Sequence, residues 1–301
     1  MRELVYLNGQ VMPLEKGSVS VEDRGFQFAD GVYEVAVVYG GVPYEFKEHI
    51  ERLFRSASLL ELEIPHTPEE IESICLNLLA ESQLANCLVY IQVTRGYARR
   101  GHAFPEEVTP TVVIYTIEFA GRAAEYYEKG VTTITVPDDR WGRCNIKSIA
   151  LVANCLAKEK AYRAGCYEAI FYSAKGVVYE GASTNVFCVL DGTIVTAPLS
   201  NKILPGITRA RLIGLARAGG FQLVERDYTV GELKGADEVF LTGTSTEVMP
   251  VIRVDDTTIG TGEPGPVSRQ LRRLMLEHIQ RVCGLAPVAE PRRSETQPGK
   301  P

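Results

Sequence analysis

The chain has 301 residues, 45% of them hydrophobic, with a formal net charge of −6 and a pI near 5.5. That length suits one large domain or two ordinary ones, because single cores stop growing at roughly 250 to 300 residues. The acidic balance speaks against a nucleic-acid binder, which needs clustered Lys and Arg to displace counterions from phosphates, and a small-molecule enzyme fits better.

Val32 to Val38, Leu88 to Thr94 and Thr111 to Phe119 are rich in Val, Ile, Tyr and Thr and predict strands. Between them, Lys47 to Leu62 and Pro68 to Ser82 carry helical spacing of apolar residues. The apolar pattern lapses at 120–124 and a new set of strands starts at Val131 to Val136. Next, Ser148 is placed to cap a helix whose Ile149, Val152, Ala153 and Leu156 share one face, with Gly165 as its stop. Further strands are expected at Glu168 to Tyr172, Asn185 to Leu190, Thr193 to Thr196, Glu238 to Leu241 and Val251 to Val254, with helices at Thr208 to Ala218 and Pro266 to Val282. Strands cluster instead of alternating with helices, which predicts an α+β fold. The expected division is a smaller α/β domain over 1–119, a linker over 120–124, a larger domain over 125–285 and a disordered tail over 286–301.

Seven cysteines, Cys75, Cys87, Cys144, Cys155, Cys166, Cys188 and Cys283, are scattered and never form a CxxC pair. They read as reduced thiols, not as a disulfide framework or a zinc site. No run approaches the roughly 18 apolar residues of a membrane span, and no apolar leader follows Met1. Cytoplasm is the expected compartment, with no membrane or nucleic-acid partner.

Several segments carry residues suited to chemistry. A Schiff-base lysine must lose its proton near neutral pH, which burial, nearby positive charge or a helix N-terminus promotes. Lys147 precedes the predicted helix, has Ile146 and Ile149 beside it, and has Arg143 four residues upstream. Read locally, it is a partly exposed lysine at a strand end. Glu180, between Gly176-Val177-Val178-Tyr179 and Gly181-Ala182-Ser183-Thr184-Asn185, would keep a pyridine nitrogen protonated, or sit solvated on a hairpin rim. Leu204-Pro205-Gly206-Ile207-Thr208-Arg209 runs from a turn into a helix start that suits an anion, and Thr242-Gly243-Thr244-Ser245-Thr246 could complete a phosphate cradle. Each is also an ordinary cap or turn. In Thr94-Arg95-Gly96-Tyr97-Ala98-Arg99-Arg100-Gly101-His102-Ala103-Phe104-Pro105, Arg100 and His102 stand two apart on an extended loop and can close on one carboxylate; alone, the run reads as a solvated basic loop.

Asp23-Arg24-Gly25-Phe26-Gln27-Phe28-Ala29-Asp30-Gly31-Val32-Tyr33-Glu34, then Lys47-Glu48-His49-Ile50-Glu51-Arg52-Leu53, Asn145-Ile146-Lys147-Ser148, Glu180-Gly181-Ala182-Ser183-Thr184-Asn185 and Gly206-Ile207-Thr208-Arg209 follow in one order. Together they resemble the motifs of the fold-type IV pyridoxal-phosphate enzymes, over about Tyr6 to Ile279. The resemblance implies two domains with pyridoxal 5'-phosphate between them, Lys147 bonded to its aldehyde, Glu180 on the pyridine nitrogen, and Arg52, Ile207, Thr208 and Thr244 on the phosphate. Without the family, Arg52 reads as a solvated helix residue and Tyr33 as a strand aromatic in the core. Tyr33 with Arg100 and His102 is similar to the α-carboxylate trap of the D-amino-acid aminotransferases. That implies ping-pong transamination between a D-amino acid and a 2-oxo acid, in a homodimer whose gripping loop reaches the partner's cofactor. L-branched-chain aminotransferases and aminodeoxychorismate lyases share the fold and stay open as alternatives. Gly243 departs from the pattern, since the D-specific members carry a hydroxyl residue there.

Overall fold

The computed structural model describes residues 3–286, and the tail expected over 286–301 lies, but for Ala286, outside them. β1 (Leu4–Leu7) and β2 (Gln10–Pro13) form a hairpin through Asn8 and Gly9, both at positive φ, as a two-residue hairpin turn of the matching twist requires. After α1 (Arg24–Phe28), capped by the Asp23 side chain, come β3 (Gly31–Tyr39), β4 (Val42–Pro43), α2 (Phe46–Leu59), α3 (Pro68–Ser82), β5 (Cys87–Thr94) and β6 (Thr111–Glu118). The six strands make an antiparallel sheet in the order β2-β1-β6-β5-β3-β4. Helices α2 and α3 cover one face over Val32, Ala36, Leu53, Ile71 and Ile91. Strand alternation sends Tyr33 to the opposite face, where it stacks on Tyr90, and Tyr90 lies against Tyr115.

The rest of the chain forms α4 (Ala124–Lys129), β7 (Val131–Pro137), α5 (Val152–Arg163), β8 (Glu168–Tyr172), β9 (Val178–Gly181), β10 (Asn185–Leu190), β11 (Thr193–Thr196), α6 (Ile207–Ala218), β12 (Leu223–Glu225), α7 (Val230–Lys234), β13 (Glu238–Gly243), β14 (Glu247–Val254), β15 (Thr257–Thr258) and α8 (Pro266–Cys283). Its strands follow the order β12-β11-β10-β13-β14-β7-β8-β9, with β15 on β14 and an added pairing of β9 with β10 that closes the sheet on itself. One side of β10 and β13 buries Val186, Cys188 and Leu241. The other packs Phe187 and Phe240 on Leu212 of α6 and Leu271 of α8. Clustered strands flanked by helices give the α+β fold the sequence predicts.

One expected element is misplaced. The helix after Lys147 starts at Val152, not at Ser148, because residues 147–149 are already committed to the first sheet: Tyr33 N–H donates to the Lys147 carbonyl at 3.0 Å and Ile149 N–H to Gly31 at 3.1 Å. The expected apolar face is inverted too, with Val152 and Leu156 exposed and Ala157 and Ala161 packed inward on Ala169 and Phe171. All seven cysteines are free thiols. Among the described residues no helix is long and apolar enough to cross a membrane, and no group of His, Cys, Asp and Glu could hold a metal.

Candidate active site

A cavity of about 320 Å³ opens where the two sheets meet, lined by Tyr33 of β3, Arg52 of α2, Lys147, Glu180 of β9, the α6 residues Ile207 and Thr208, and Thr244. Lys147 lies on the connection from β7 to α5. Its N–H donates to Ser56 Oγ at 3.2 Å and its neighbour Ile146 is buried in the first core, so the backbone beneath the amine is fixed. Lys147 Nζ stands 4.4 Å from the centroid of the Tyr33 ring. Tyr33 is therefore a cavity wall and not a core aromatic.

Glu180 is buried on β9 and is no solvated turn residue. Its carboxylate accepts from Arg140 Nη1 at 2.6 Å, Asn185 Nδ2 at 3.1 Å and Leu204 N–H at 2.9 Å. Burial pushes this carboxyl up to about 7, against the downward pull of Arg140 and of the Leu204 amide. Arg140 is held in turn by Asp138 and lies 4.2 Å from the Phe171 centroid. One further positive charge beside Glu180 would favour its ionised form, which fits a protonated ring nitrogen.

At the anion end, α6 begins at Ile207 with Gly206 as N-cap, and no side chain caps its first amides. A Cβ at position 206 would stand 2.1 Å from Asn185 Oδ1, so the close approach requires glycine. Thr242 Oγ1 lines the same cavity, buried and without a hydrogen-bond partner. Uncapped amides, the positive helix end and an unpartnered hydroxyl fit a phosphate. Arg52, far from solvated, is 5% exposed. Its Nε and Nη2 donate to Glu34, at 2.6 and 3.0 Å, and Nη1 to the Pro205 carbonyl at 3.0 Å, which braces the turn before α6. Gly243 lines the cavity beside Thr244, and a Cβ at its position would meet Thr184 and Thr246 at an ordinary contact distance of 3.5 Å.

Arg100 and His102 do not line this cavity. Both lie on an exposed loop, Arg100 4.6 Å above the Phe28 ring and His102 tilted against the same ring. Arg143 points elsewhere, donating to Leu59 O, and Arg95 is buried on Asp30, not solvated. Sequence reading missed Arg140 and Asp138 and gave Asn185 no role, whereas Thr242 falls in the run it offered for the phosphate cradle. For the first pair the available signal was a cation two residues from a carboxylate, just upstream of Lys147.

The model of the family described as Amino-transferase class IV matches residues 31–254. The chain belongs to the class IV aminotransferases. This class IV aminotransferase is 40% identical over 279 residues to D-alanine aminotransferase of Staphylococcus aureus (strain N315), covering 92% of this chain and 98% of the relative. It is 38% identical to D-alanine aminotransferase of Listeria monocytogenes, covering 93% and 97%. Among solved structures, the T.th. branched-chain amino acid aminotransferase with pyridoxamine 5'-phosphate is 31% identical, with a TM-score of 0.87 over 95% of this chain and 96% of that one.

Proposed function

We propose that the chain is a pyridoxal-phosphate-dependent D-amino-acid aminotransferase, moving the amino group of a D-amino acid to a 2-oxo acid in two half-reactions by a ping-pong scheme. The observation that carries this reading is that the Lys147 amine, the buried Glu180 carboxylate and the uncapped start of α6 share one cavity. Lys147 would hold the cofactor's aldehyde carbon, Glu180 its ring nitrogen, and Ile207, Thr208, Thr244 and Arg52 its phosphate. When bound, pyridoxal phosphate supplies an electron sink for the pair left as a Cα–H bond breaks.

The chain's own residues do the rest. Lys147 Nζ would take the proton from the substrate Cα and pass it on to the cofactor carbon instead of back to Cα, acting from the side where the Tyr33 ring lies. Glu180 stays ionised to balance the positive ring nitrogen. Arg100 and His102 grip the substrate α-carboxylate, and a charge-assisted contact of that kind fixes which face of Cα meets Lys147.

Because Arg100 and His102 stand outside the cavity of their own chain, the reading requires a homodimer in which a second copy brings its loop to the site. The aromatic sheet face of Tyr33, Tyr90 and Tyr115 and the exposed Val152 and Leu156 offer apolar surface for it. Segments 3–119 and 125–285 act as two domains about the cavity, with 120–124 as linker. Free thiols throughout agree with a cytoplasmic setting.

Incubating the holoenzyme separately with D- and L-alanine tests the reading through the cofactor's absorbance band. Bleaching by D-alanine is expected, and bleaching by L-alanine alone, or by neither, overturns it. The likeness to a solved branched-chain enzyme supports a second reading, which predicts bleaching by L-leucine instead.

A further inference from the structure

Arg24 is 3% exposed although it opens a helix of five residues at the protein's edge. Its Nε donates to Asp30 Oδ2 at 2.8 Å. Its Nη1 reaches across to the carbonyls of Gly101 at 2.7 Å and Ala103 at 3.3 Å. The two acceptors flank His102. The same Asp30 oxygen accepts from Arg95 Nε at 2.8 Å, and Arg95 lies 3.6 Å from the centroid of Phe104, just beyond the pair. Phe28 completes the frame, with Arg24 4.9 Å and Arg100 4.6 Å from its centroid. An exposed loop without secondary structure would ordinarily sample many conformations. This one has backbone and aromatic ring tied to two buried guanidinium groups that share one carboxylate.

We propose that Arg24, held by Asp30, is the positioning residue that presets residues 100–102, so that Arg100 and His102 meet the substrate α-carboxylate already side by side. The inference rests on the reading of Arg100 and His102 as the carboxylate grip. Arg24 touches neither substrate nor cofactor in this scheme; it spends its donors on the loop's carbonyls, where lysine's single ammonium cannot reproduce the planar fork.

The test uses Arg24→Gln and Arg24→Lys holoenzymes, with Arg100→Ala as reference, and compares the half-reaction with D-alanine against that with D-alaninol, which lacks the carboxylate. Loss of a binding interaction present in ground and transition state alike should raise KM and leave kcat nearly unchanged. Arg24→Gln is expected to raise KM for D-alanine by about tenfold and leave D-alaninol within about twofold, with Arg24→Lys between wild type and Gln. Equal losses on both amines in Arg24→Gln and Arg24→Lys would mean general disruption and overturn the proposal. A selective loss in Arg100→Ala with none in the Arg24 variants would overturn it while sparing the grip. No selective loss in Arg100→Ala would remove the grip and this inference together.

Discussion

Three side chains, Lys147, Glu180 and Glu34, each make a separable demand. Lys147→Ala should cut the half-reaction with D-alanine by roughly 1,000-fold or more while the fold persists, because the variant has no amine to carry the Cα proton; stopped-flow absorbance with added cofactor checks it. Glu180 is raised by burial to about 7. In the cofactor-free protein it holds its proton where the unfolded chain, near 4.5, has lost it. Stability therefore falls as pH rises from about 4.5 to 7, by an amount on the order of 3 kcal/mol. On the proposed reading the cofactor's ring nitrogen needs the carboxylate, so cofactor affinity should climb over the same interval and level off above about 7, and Glu180→Gln should flatten both trends in fluorescence titrations. Glu34 runs the opposite way: burial would raise it, but Arg52 and His49 hold it at about 2. Its contribution is complete above about 4.5 and is lost as pH falls towards 2, so urea midpoints at pH 5 and pH 3 should differ more in wild type than in Glu34→Gln.

At the scale of elements, the anion end depends on how α6 begins. Gly206→Ala would drive a Cβ into Asn185, which holds both Glu180 and the Leu204 carbonyl; cofactor affinity should fall about tenfold, a displacement cost of roughly 1.4 kcal/mol, measured by equilibrium dialysis. Gly243→Ser should do the reverse. Its Cβ meets Thr184 and Thr246 at an ordinary 3.5 Å and adds a hydroxyl to the cradle, worth about 1 kcal/mol of cofactor binding. Much of this was legible in the chain. Period-two Val and Ile runs placed the long strands, and the Pro-Gly turn placed the start of α6 within one residue. The segment after Lys147 was not legible, because Ser148 and Ile149 are good helix openers until β3, more than a hundred residues upstream, takes their backbone. Short edge strands β4, β12 and β15 escaped for want of periodicity. Arg52 looked solvated because its partner Glu34 sits on β3, where no helical spacing points to it.

Taken whole, and on the proposed reading, the molecule keeps its reactive amine and its carboxylate grip apart until two copies meet. Specific activity towards D-alanine should drop on dilution while the cofactor's absorbance persists, and sedimentation should give twice the 33.2 kDa chain mass; undiminished activity from a species of single mass would count against the shared site. Elsewhere the architecture relies on one narrow join. The nine-stranded sheet is closed by a single facing pair, Glu180 with Asn185, so the seam of the barrel and the proposed seat for the ring nitrogen are the same spot. Whatever fills that seat acts as a rivet: without it, amides of Val178 to Gly181 should trade hydrogen for deuterium well before those of β13, and with it the two should slow together.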